Sequence, residues 1–164
     1  MFYSETYGKI NINGIPDKIL DFYKKNKEIE GDFQIVVGTD SQNFSDTKMV
    51  TVIAAYKEGH GGIFFYNIER INKIKNVKQK LNTETSKSLE TMMELVNEID
   101  TKDIYNDMKD NALLSIHVDA GWSDKGKTKE LIPGLVGWIK ACGYDAKVKP
   151  DSFAASSIAD KISK

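Results

Sequence analysis

The hydrophobic period of this chain switches several times between two and about three and a half residues, and the order of those switches is its tightest constraint. Phe33-Gln34-Ile35-Val36-Val37 is a β-branched run stopped by Gly38, which reads as a central strand. Two further strands follow at roughly 49–56 and 63–68, with glycines at 59, 61 and 62 to turn the chain between them. The pattern then becomes helical over 77–99, where Leu81, Thr85, Leu89, Met92, Val96 and Ile99 form one stripe. A strand at 113–119, a helix at 127–142, a strand at 144–149 and a closing helix at 152–163 complete the order.

Three consecutive strands joined by short turns suit an antiparallel meander, whereas strand–helix–strand units need parallel crossovers. The expected fold is therefore α/β, a mixed five-stranded sheet whose first three strands are antiparallel, flanked by helices. Pro16 opens a short helix carrying Ile19, Leu20, Phe22 and Tyr23, and Pro is suited to a first helical turn. Residues 1–30 read as an N-terminal extension containing that helix, and 31–164 as the main domain.

At 164 residues one domain is expected, large enough to hold a core without covalent staples. Hydrophobic residues at 40% and charged residues at 29% exclude collagen-like and wholly disordered chains. The single cysteine, Cys142, excludes an internal disulfide and a cysteine zinc site. It falls on the apolar stripe of its helix and reads as a core thiol, and Met92 and Met93 as core filling. The start MFYSETYGKI resembles no signal peptide, and no apolar run is long enough for a membrane span. A soluble cytoplasmic protein is expected. Twenty-three Lys and Arg against 24 Asp and Glu give a net charge of -1, so any contact with nucleic acid must use local positive patches.

The candidate chemistry starts at Gly38-Thr39-Asp40-Ser41-Gln42. By strand alternation Val36, Gly38 and Asp40 share a face. In the fourth strand Ser115, His117 and Asp119 share one, opposite Leu114, Ile116 and Val118. Two strand-end aspartates converge if these strands are neighbours, although an aspartate also starts turns by accepting from nearby backbone amides. His117 either relays a proton on that face or is a satisfied sheet histidine, and His60 sits exposed in a glycine-rich turn.

The order of elements and the segments IVVGTDSQ (35–42), TETS (83–86), TKELIPGLVGWIKACGY (128–144) and KPDSFAASSIADKISK (149–164) resemble the ribonuclease H-like YkuK family. The resemblance covers roughly residues 31–164. It implies a carboxylate cluster holding two divalent ions, Mg²⁺ or Mn²⁺, and a nuclease or phosphodiesterase acting on RNA, an RNA–DNA hybrid or structured nucleic acid. Asp40 and Asp119 match the two strand positions. The helix acid is Glu84 or Glu90. Glu84 lies roughly 105° from the centre of the stripe and Glu90 roughly 135°, and Glu84 is also nearer the helix start, which together favour Glu84. The fourth acid is Asp151 or Asp160. Asp151 is preferred because it opens the last helix, whereas Asp160 lies about 12 Å further along the helix axis.

Lysines at 73, 75, 78, 80 and 87, at 125, 127 and 129, and at 147 and 149 are candidates for phosphate contact. Ser41, Gln42, Lys127, Thr128 and Lys149 are the expected substrate contacts, though Thr128 also suits a helix N-cap. Trp122 and Ser123 could add stacking and polar contacts. A non-catalytic nucleic-acid or protein-binding module with an incomplete metal site is the alternative. An actin-like ATPase relative ranks last, because the chain lacks room for a second lobe.

Overall fold

In the computed structural model, which covers residues 1–164, the β-branched run does not end at Gly38. It continues as an eleven-residue strand through Asp40 to Asn43. Gly38 serves packing instead of termination. A Cβ there would lie 2.6 Å from the backbone nitrogen of Ala155 and 2.9 Å from the carbonyl carbon of Ala154. Only glycine lets the C-terminal helical segment rest directly on the strand.

The elements in chain order are β1 (Phe2–Ser4), β2 (Gly8–Ile10), α1 (Ile15–Asn26), β3 (Phe33–Asn43), β4 (Thr47–Lys57), β5 (Gly62–Ile71), α2 (Val77–Asp100), α3 (Asn106–Asn111), β6 (Ala112–Gly121), α4 (Lys127–Ala141) and β7 (Asp145–Lys149). A π-helical stretch, Ala154–Ala159, then runs into α5 (Asp160–Ser163). The sheet order is β2-β1-β5-β4-β3-β6-β7. As expected, β3, β4 and β5 form an antiparallel meander, and β6 and β7 are added in parallel. The sheet has seven strands and not five. β1 and β2 are three residues each, too short for alternation to show in sequence, and they pair where β5 offers Tyr66 to Tyr3.

The two faces of the sheet carry different partners. Ile35 and Val37 join Ile53, Phe65, Leu89 and Met92 in the larger core, which also takes in Ile15, Ile19, Leu20 and Tyr23 of α1. Val36 faces the other way, packing with Val50, Val52, Ala54, Ala154 and Ala159 beneath the C-terminal segment. The alanines let that segment pack closely against the strand.

Two core assignments are corrected. Cys142 is exposed, because it caps α4 after the buried positions Ile132, Leu135 and Ile139 have passed. Trp138, on the same flank, is 39% exposed. Met92 is fully buried, while its neighbour Met93, one helical step round, faces solvent. No helix is long and apolar enough to cross a membrane.

Candidate functional site

β3 and β6 lie side by side and parallel, with Gly38 opposite His117, so Asp40 and Asp119, two residues further on in each strand, reach the same end of the sheet. Both point to the face covered by the C-terminal segment, as their parity with Val36 and His117 requires. Asp40 is 3% exposed and Glu84 equally buried. Glu84 comes from the first third of α2 on the opposite face, and meets the end of β3 through Ser41, whose hydroxyl donates to Glu84 Oε1 at 2.7 Å. Glu90 is exposed and pairs only loosely with Lys87, at 3.9 Å. The structure therefore brings Asp40, Ser41, Glu84 and Asp119 together and leaves Glu90 outside.

The preference for Asp151 over Asp160 is reversed. Asp151 is exposed in the turn after β7, where its amide donates to the Val148 carbonyl at 2.8 Å. It makes no contact with Asp40 or Asp119. The following segment begins near the middle of the strands, with the Ala154 amide donating to His117 Nδ1 at 3.2 Å. Its far end is what reaches the acids. The Ser163 hydroxyl donates to Asp40 Oδ2 at 2.6 Å and to the Asp160 carbonyl at 3.0 Å. Asp160, and not Asp151, stands beside the cluster, held by Lys164 at 2.9 Å. The expected orientation placed the wrong end of the helix at the strand ends.

Three lysines neutralise these acids. Lys80 Nζ donates to Asp40 Oδ1 at 3.0 Å, to the Ser41 carbonyl at 2.8 Å, and to Glu84 Oε1, with the Ser41 hydroxyl at 3.4 Å. Lys149, expected on substrate, pairs instead with Asp119 Oδ1 at 3.0 Å. Lys164 lies close enough to feel both Asp40 and Asp119. Burial opposes the charge on Lys80, yet Glu84 and Asp40 outweigh it and hold the ammonium above its ordinary range. Burial pushes the Glu84 carboxyl up to about 7, against the pull of Lys80. Burial likewise raises Asp119, with Lys149 opposing and the adjacent Asp40 carboxylate adding to the rise.

The other expected contacts are dispersed. Gln42 and Lys127 are exposed and Thr128 half-buried, on elements that open toward the same end of the sheet. Gly126, with φ 63°, caps α4, so Thr128 is inside the helix and not its N-cap. His117 is almost fully buried. Its Nδ1 accepts from Ala154, while Nε2 has no partner, and burial together with Lys147 pushes its pKa down to about 4. It is a neutral packing group against Phe153, with ring centroids 4.9 Å apart. His60 is exposed, as expected.

No three Asp, Glu, His or Cys side chains converge tightly enough to hold a metal ion in this arrangement. The donor chemistry nevertheless fits one. Asp40, Glu84 and Asp119 supply hard carboxylate oxygens, and Glu84 Oε2 is buried with no hydrogen-bond partner. Lys80 bridges two of these carboxylates, Asp40 and Glu84, and Lys149 pairs with the third. The sequence reading put Lys80 among the phosphate contacts and not among the partners of the acids, and it missed Ser163. Lys80 was readable as an i,i+4 partner of Glu84, whereas nothing local marked Ser163.

Residues 15–164 match the family described as ribonuclease H-like. Over its full length the chain is 27% identical to the protein YkuK of Bacillus subtilis (strain 168), covering 97% of that protein. Among solved structures it is similar to the catalytic domain of Mos1 transposase with raltegravir and manganese, at a TM-score of 0.29 and 10% identity. The corresponding magnesium structure gives a TM-score of 0.28. In both, 84% of this chain is aligned, and it spans 62% of the transposase chain.

Proposed function

The chain belongs to the ribonuclease H-like family, and from that premise we propose that it is a divalent-metal-dependent phosphodiesterase acting on nucleic acid, RNA or an RNA–DNA hybrid foremost. The observation that carries this reading is the meeting of Asp40 and Asp119 at the ends of two parallel, adjacent strands, with Glu84 brought to the same point from α2. Asp40, Glu84 and Asp119 would hold Mg²⁺ or Mn²⁺, with Asp160 beside them. Such ions supply an activated water and stabilise the leaving oxygen of a phosphodiester.

The remaining residues have roles the chain can perform itself. Ser41 fixes the Glu84 carboxylate, and Ser163 fixes one oxygen of Asp40. Lys149 and Lys164, both partly exposed at the rim, can turn from the acids to substrate phosphates. Gln42, Lys127 and Thr128 line the approach from the same end. A binding module without catalysis is favoured by one specific feature, the pairing of Asp40, Glu84 and Asp119 with lysines.

The test is cleavage of labelled RNA, RNA–DNA hybrid and single-stranded DNA in Mn²⁺ or Mg²⁺, with Asp40→Asn and Asp119→Asn alongside. Metal-dependent cutting that both variants lose supports the enzyme. Metal-independent binding that survives both variants, with no cutting, establishes the module instead.

A further inference from the structure

Lys80 sits in a cage of four oxygens drawn from three residues: a carboxylate oxygen of Asp40, the carbonyl and hydroxyl of Ser41, and Oε1 of Glu84. Carboxylate, carbonyl and hydroxyl oxygens around one centre are the donor types that hard divalent cations take. The cage is built on rigid elements, with Asp40 and Ser41 inside the long strand β3 and Glu84 and Lys80 one turn apart on α2. Two of its walls, Asp40 and Glu84, are 3% exposed, so their charges need a cation inside the protein. The Lys80 side chain is 32% exposed, so its four-carbon stem has a route outward. The unpartnered Oε2 of Glu84 adds a donor that the ammonium leaves unused.

We propose that Lys80 is a built-in counter-ion occupying a divalent-cation position, and that it must swing out of the Asp40–Ser41–Glu84 cage before a metal ion can enter. The inference rests on the metal-site reading above. It makes loading a competition between an internal ammonium and an external ion. The chain gains a folded metal-free state in which its buried acids are neutralised, and metal affinity falls in proportion.

The experiment is calorimetric titration of Mn²⁺ and Mg²⁺ into the wild type, Lys80→Met and Lys80→Arg, with the Lys80 ammonium resonance followed by NMR in the wild type. Removing the competitor in Lys80→Met is expected to tighten metal binding by at least about tenfold. The forked cation of Lys80→Arg, which grips two carboxylates at once, is expected to weaken it below wild type. The ammonium resonance should shift to that of a free lysine as metal saturates. Equal affinities in all three proteins, or a resonance unchanged at saturation, overturn the exchange while leaving the metal site intact. Metal binding by Lys80→Met alone supports it. Absence of metal binding in every protein overturns both the exchange and the metal-site reading beneath it. If Lys80→Met fails to fold, wild type against Lys80→Arg and the resonance still decide.

Discussion

The hydroxyl of Ser163, the penultimate residue, donates to Oδ2 of Asp40 at 2.6 Å, joining the last turn of the chain to the central strand. Both residues are buried, so this bond to a charged acceptor is screened from water. Bonds of that kind contribute about 1.5–3 kcal/mol. Ser163→Ala is therefore expected to lower stability by that amount in urea unfolding. A loss under about 0.5 kcal/mol would mean that the carboxylate finds another donor without cost.

Gly38 makes the companion prediction. Its missing Cβ leaves the space taken by the backbone of Ala154 and Ala155. Gly38→Ala must lift the C-terminal segment from the sheet, at a cost of about 1–3 kcal/mol or more. Hydrogen exchange should show lost protection over 154–163, with β4 and β5 unchanged. Protection lost evenly through the sheet would show that the segment does not move as a unit.

Much of this arrangement was legible before the structure because it is written in periods. The β-branched run at 33–37 and the alternation at 113–119 located β3 and β6, while their parallel pairing, which unites Asp40 and Asp119, is seen in the structure. Helical angle and nearness to the helix start favoured Glu84 over Glu90, and Glu84 is the one buried beside β3. The C-terminal segment failed for a physical reason. Its sequence specifies a helix but not which end rests on the acids, and that is decided by small residues, Gly38 with Ala154 and Ala155, packing at a distance in sequence. The ends of α4 were similarly hidden, since Cys142 continues the stripe while the helix that would bury it stops at Ala141.

The acid assignments make separable predictions for cleavage. Glu84→Gln removes a buried donor next to Asp40 and is expected to lower metal-dependent cutting by about 100-fold or more. Asp151→Asn changes an exposed turn residue distant from the cluster and should leave the rate within about twofold. Asp160→Asn, beside Ser163 and Lys164, is expected to fall between them. Rates measured at saturating Mn²⁺ on one substrate settle the order, and a large effect at Asp151 would refute the placement of the C-terminal segment.

Away from the acids, two tyrosines tie α1 to the 103–111 segment and are expected to lower stability at alkaline pH. Tyr23 O–H donates to Asp107 Oδ2 at 2.8 Å, and Tyr105 O–H donates to Asp17. Burial, reinforced by those carboxylates, pushes both phenols from 10.0 up to about 12. Between these values the folded chain keeps two protons that the unfolded chain releases, so stability falls as pH rises. The contribution is intact below pH 10 and disappears as pH approaches about 12. Tyr105→Phe removes one proton from this balance. Urea midpoints taken from pH 9 to 11.5 should therefore decline less steeply in the variant than in the wild type. Parallel declines would assign the alkaline loss to other groups and leave the tyrosine–aspartate ties with no part in it.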